Sequence, residues 1–288
     1  MPTEIITEEE QLARAGFLWR ERGGVRALTC APLEEEGFAN AFPARTGGVS
    51  AFPENSLSLA GFDADAAENI YENRRRLLGL FEGEWALAVC WQVHGTDVHA
   101  VETADDSSER PGSGHEGVRC DALVTRTARV LVGVKTADCV PVLLGDAHTG
   151  AVAAVHAGWR GTLAGIVGRA LEQMSSLYGT RPGDVRAALG PAALGCCYEV
   201  GPEVIEAFRQ NFADADTLFT PTADGRALVD LHEANRRQLL SAGLSPARVH
   251  AAPLCTICHT DLFFSHRREH KLQGRTGRTL SVIGSSRR

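Results

Sequence analysis

Three residues in this 288-residue chain join suitable chemistry to a suggestive position: His94 in QVHGTDV (92–98), Cys139 in KTADCVPVLL (135–144) and His156 in AVHAGWRGT (154–162). Neutral imidazole and thiolate are both good Zn²⁺ ligands, and two histidines with one cysteine would leave a fourth position open, the arrangement of catalytic zinc. The three are far apart in sequence, so this is no compact finger motif. A lone cysteine is ordinarily a buried small hydrophobe and a lone histidine a packed or surface residue. Only their coming together would separate them from those roles.

Other residues offer supporting chemistry. Arg45 in ARTGGVS (44–50) and Arg160 in HAGWRG (156–161) have planar forks that suit phosphate or ribose oxygens, or are structural arginines. Gly158 and Gly161 would let backbone approach a ligand, and the start of the following helix would favour an anion. Asp138 could accept a hydrogen bond from a ligand histidine or cap a turn. Cys255-Thr-Ile-Cys258 has metal-pair spacing but no second C-x-x-C to complete it, so ordinary packing is expected there. Adjacent Cys196 and Cys197 would project in opposite directions on a strand, which makes a shared metal awkward.

These residues need elements to position them. Apolar residues at helical spacing over 63–81 predict an amphipathic helix, with Asp63 or Asp65 as its cap. The run 85–93 predicts a strand that delivers His94 into a turn, and further strands are expected at 121–125, 130–135, 140–145, 151–155 and 185–189. Helices are expected at 162–178 with Gly179 as stop, at 202–211 behind Pro202, and at 231–242 behind an Asp230 cap. The polar stretch 102–119 carries no periodicity and reads as an exposed insertion. Strands and helices mix without βαβ alternation, so the expected class is α+β: a layered α/β sandwich with mixed β-sheets. Neither linker nor repeat interrupts the chain, and residues 1–288 read as one domain.

Composition limits the function. With 44% hydrophobic and 23% charged residues the chain is ordinary globular protein. A net charge of −7 argues against general binding to nucleic-acid backbones. No apolar run is long enough to span a membrane, and the acidic start (Glu4, Glu8, Glu9, Glu10) does not suit a secretory signal. Eight cysteines in a long chain without an export signal read as reduced thiols in the cytoplasm.

The ordered motifs FANAFPARTGGVS (38–50), ENRRRLL (72–78), QVHGTDV, CDALVT (120–125), KTADCVPVLL, AVHAGWRGT, LGPAALGCCYEVGPEV (189–204), DLHEANRRQL (230–239) and FFSHRRE (263–269) resemble the laccase-domain, or YfiH-like, family over about residues 38–284. That family is also called multicopper-polyphenol-oxidase-like, and sometimes peptidoglycan editing factor. The resemblance implies a YfiH-like fold and zinc, or copper, bound by His94, Cys139 and His156. It also implies phosphorolysis of adenosine, inosine and methylthioadenosine, with deamination of adenosine as a second activity. Small-molecule purine nucleosides and phosphate would be the partners, and the protein a monomer or homodimer. Departures are Gly195 for a usual proline, His266 for a usual tyrosine, and an enlarged 102–119 loop. Rival readings are a cysteine hydrolase using Cys139 and His156 without metal, a cell-wall-precursor editing hydrolase, a copper-dependent polyphenol oxidase, and a binding module with a structural metal.

Overall fold

The structure, a computed structural model, describes residues 7–62, 64–103 and 117–287. Two six-stranded sheets dominate it. The first runs in the order Phe17–Arg22, Val25–Cys30, Phe38–Pro43, Thr279–Ser285, Val130–Thr136, Ala86–Val89. Neighbours are antiparallel except Ala86–Val89, which lies parallel to Val130–Thr136. The second runs Val249–Ala251, Val185–Leu189, Val140–Asp146, Val152–Ala157, Ala122–Thr125, Val98–Ala100, antiparallel in the middle and parallel at both edges. Both sheets are mixed, and the architecture is α+β as the sequence predicts.

The central strands read as unbroken apolar runs because they bury both faces, as expected for strands covered on either side. In Val140–Asp146, Leu143 faces the core between the sheets, whereas Val140, Val142 and Leu144 face the helices. In Val152–Ala157 the alternation repeats, with Val152 and Ala154 inward and Ala153, Val155 and Ala157 outward. Val132, Val134 and Ile283 of the first sheet complete the inter-sheet core, while Leu131, Leu280 and Val282 turn to its outer side with Leu77 of the helix Ala67–Leu78. The layers are thus helix, sheet, sheet, helices.

The helix Ile166–Tyr178 buries Ile166, Val167, Ala170, Leu171 and Met174, the face expected from spacing, and stops at left-handed Gly179. Pro202–Asn211 and Leu231–Ser241 also form as expected, the latter capped by the Asp230 side chain accepting from Glu233 N–H. Three expectations need correction. The helix over 162–178 is broken, because Gly165 takes a left-handed φ of 76° and splits off the short helix Trp159–Leu163. The strand over 85–93 is reduced to Ala86–Val89, since residues beyond it turn away from the first sheet to reach the second. The helix over 63–81 begins at Ala67 behind Ala66; Asp65 accepts from Ala66 N–H and from Asn69, and Asp63 lies outside the described residues. Of the stretch 102–119, residues 104–116 also lie outside them.

Candidate metal centre at the end of the second sheet

Strand register explains how three distant residues meet. Pro141 pairs with His156 and Val140 with Ala157, so Cys139, just before its strand, lies beside the end of the neighbouring one. Val155 pairs with Ala122 on the other side, and His156 N–H donates to the Asp121 carbonyl at 2.8 Å. His94 arrives on the turn that follows Ala86–Val89, with a left-handed φ of 60°. The ligand atoms of His94, Cys139 and His156 all lie within 4.8 Å of one another. The imidazoles meet edge to face at 4.8 Å.

Asp121 organises this centre, and no role was read for it from sequence. Fully buried, its carboxylate accepts from the backbone N–H of Val93, His94 and Gly95 at 3.2, 2.9 and 2.6 Å. It also pairs with His156 Nδ1 at 2.8 Å. One side chain therefore fixes the His94 turn and leaves the other His156 nitrogen for the centre. Burial pushes the Asp121 carboxyl up, but the His156 hydrogen bond and these amides outweigh it and hold it below the usual carboxylate range. Burial likewise raises the Cys139 thiol, yet the charge and hydrogen bonding of His156, with help from His94, bring it down to about 6. For His156 burial opposes charging, but Cys139 and Asp121 raise it to about 9. Metal-free, Cys139 and His156 form a thiolate–imidazolium pair.

The cavity above the centre measures about 610 Å³ and is lined by Trp91, Gln92, Trp159 and Tyr198 among others, with cationic Lys135, Arg160, Arg267 and Arg278. Gln92 clamps the backbone of Lys135 from both sides, tying the first motif to the second. His266 also lines the cavity. Burial, and after it the nearby Arg278 guanidinium, lower its pKa.

The remaining expected site residues divide. Arg160 lines the cavity with its guanidinium 4.2 Å over the Trp159 ring, although the helix behind it is only five residues long. Arg45 does not line it. Its guanidinium is buried between the carbonyls of Thr260 and Phe263, the Glu269 carboxylate at 2.7 Å and the Phe264 ring. The polar contacts with segment 260–269 all fall on its Nη1. Asp138 borders the cavity, but its carboxylate accepts from Thr256 Oγ1 at 2.7 Å and Arg267 N–H at 2.6 Å rather than from a histidine. Gly158 makes room for ligand side chains rather than for a substrate: an added Cβ would lie 3.0 Å from Cys139 Sγ and 3.2 Å from His94 Cδ2.

The two-sheet fold carries a His–Cys–His arrangement suited to metal binding under a cationic cavity. The sequence profile of the family described as multi-copper polyphenol oxidoreductase laccase matches residues 39–286, and the chain belongs to that family. Purine nucleoside phosphorylase YlmD of Geobacillus stearothermophilus is 34% identical over 264 residues, 89% of this chain and 93% of the relative. Adenosine deaminase RL5, from an unknown prokaryotic organism, is 43% identical over 162 residues, 56% of this chain and 61% of its own. The crystal structure of YlmD from Geobacillus stearothermophilus superposes with a TM-score of 0.83 over 94% of this chain and 99% of that one, at 34% identity.

Proposed function

We propose that this chain is a zinc-dependent purine nucleoside phosphorylase that also deaminates adenosine. The observation that carries the proposal is the convergence of His94, Cys139 and His156 at the floor of a cavity walled by four cations. A soft thiolate with two imidazoles suits zinc, which would supply a Lewis acid with one open position. Lys135, Arg160, Arg267 and Arg278 would hold phosphate, and the faces of Trp159 and Tyr198 would take the purine and ribose. In phosphorolysis a phosphate oxygen bonds to ribose C1′ as the bond to the base nitrogen breaks, and the base leaves with a proton. His266, whose pKa is lowered, would hydrogen-bond that base. In deamination water adds at C6 and ammonia leaves, so the oxygen nucleophile admitted decides the product.

Names of relatives support the same reading, with purine nucleoside phosphorylase among the first and adenosine deaminase at 43% identity. A conventional multicopper oxidase needs more histidine ligands than this centre supplies. Shared cores between the sheets support treating the chain as one domain, and eight free thiols support a reducing, cytoplasmic setting. Among the described residues, no helix is long and apolar enough to cross a membrane.

A second reading has one observation in its favour: Cys139, His156 and Asp121 also form a nucleophile–base–carboxylate series. Product analysis by mass spectrometry, on metal-quantified protein given adenosine, inosine or methylthioadenosine with and without phosphate, separates the two. Phosphate-dependent release of adenine or hypoxanthine, absent in Cys139→Ala and lost on chelation, is expected. Absence of turnover by folded, zinc-loaded protein would overturn the phosphorylase. Hydrolysis that persists without metal and dies on alkylation of Cys139 would establish the cysteine hydrolase.

A further inference from the structure

A second group of metal-ligating side chains lies outside the cleft. The sulfurs of Cys196, Cys197, Cys255 and Cys258 all lie within 4.8 Å of one another, with Cys197–Cys258 at 3.3 Å and Cys196–Cys258 at 3.8 Å. Neither cysteine pair is on a strand. Gly195–Cys197 form a turn in which Cys197 N–H and Tyr198 N–H both donate to the Leu194 carbonyl, so adjacent side chains are not forced to opposite faces. Opposite it, Cys255 bridges Ala192, and the chain curls back so that His259 N–H donates to the Cys255 carbonyl. The second cysteine pair that the C-x-x-C lacks in sequence is supplied in space.

We propose that these four cysteines are a second metal site, a closed tetrathiolate that takes one zinc ion and pins the two loops beside the cleft. A tetrahedral ion with zinc–sulfur bonds of about 2.3 Å spaces its sulfurs roughly 3.8 Å apart, which is the scale of this cluster. Four thiolates converging on one point match a single ion, whereas a two-iron cluster divides its cysteines between metals. Cys255 is buried, and its sulfur is hydrogen-bonded by the backbone of Leu194, Ile257 and Cys258, the outer contacts that orient a ligand. Cys196 and Cys258 are exposed, which gives the metal an entry path.

The position explains what such a site would accomplish. Tyr198, next after Cys197, lines the cavity, and Arg267 lies 5.0 Å over its ring. Thr256, next after Cys255, donates to the Asp138 carboxylate, while Ala193 N–H donates to the Asp138 carbonyl. Asp138 precedes Cys139 and holds a left-handed φ of 91°. A clasp joining 193–198 to 255–258 therefore supports the cavity wall and the residue before the catalytic thiolate. The proposal is independent of the substrate assigned above.

The test is a metal count on full-length protein purified under reductant, stripped with a chelator and titrated with Zn²⁺ alone. The wild type should take two equivalents per chain, Cys139→Ala one, and Cys258→Ser one. Cobalt(II) loaded into Cys139→Ala should give the intense sulfur-to-metal absorption of tetrathiolate coordination, and Cys258→Ser should melt at lower temperature while retaining its His94–Cys139–His156 metal. A single equivalent in the wild type with none in Cys139→Ala would overturn the proposal. So would a disulfide between any two of these cysteines in zinc-replete protein, read by intact mass.

Discussion

At the scale of the residue, the centre depends on charges that balance before any metal arrives. In metal-free protein Cys139 is a thiolate above about pH 6 and His156 an imidazolium below about pH 9. Zinc entering at neutral pH must therefore displace one proton, from His156. Calorimetry in buffers of different ionisation enthalpy should detect that proton. The apparent affinity should weaken about tenfold per pH unit between about 9 and 6, and more steeply below 6, where Cys139 must also deprotonate. Arg45 offers the opposite lesson. Its pair with Glu269 is buried, so Arg45→Ala leaves that carboxylate without its counter-charge and should cost about 3–5 kcal/mol by denaturant titration, while KM for phosphate in the folded fraction stays unchanged. A raised KM without loss of stability would return Arg45 to the substrate. Residue types made His94, Cys139 and His156 legible in the sequence. Asp121 was not, since nothing in CDALVT reveals that three backbone amides from residues 93–95 will converge on that carboxylate.

Elements were legible where one physical preference dominated. Apolar alternation and the Gly179 and Asp230 signals marked strands and helices because burial and capping act locally. The break at Gly165 was hidden, since glycine is compatible with a continuing helix and only packing decided the left-handed turn. The cysteine cluster was hidden for a similar reason: its pairs sit on two loops whose meeting is a tertiary event. Element geometry also makes a sharp prediction at Gly158, the junction between strand and short helix. Gly158→Ala should leave the fold intact, because the contacted atoms are side chains, but push Cys139 and His94 apart by a few tenths of an ångström. Zinc affinity should fall while the melting temperature of the chelated protein is nearly unchanged; equal zinc affinity in both proteins would refute the role given to this glycine.

On the scale of the whole molecule, charge is segregated. The chain carries −7 overall, yet Lys135, Arg160, Arg267 and Arg278 line one cavity. An acidic body repels anions at long range, and the cavity recovers them at short range, where screening is weaker. Raising ionic strength with an inert salt should raise KM for phosphate more than KM for inosine; equal changes would count against a cationic phosphate site. Sheet order has a further consequence, one of timing. Thr279–Ser285 sits in the middle of the first sheet, between Phe38–Pro43 and Val130–Thr136, which are made long before it. A nascent chain lacking those seven residues presents two open strand edges facing an unfilled slot, the kind of edge that recruits other chains. Ribosome-bound chains stopped at residue 278 should bind chaperone and resist no protease, whereas chains extended past 285 clear of the exit tunnel should become protected in one step. The enzyme is thus held open along its midline during synthesis, and one late strand closes the first sheet.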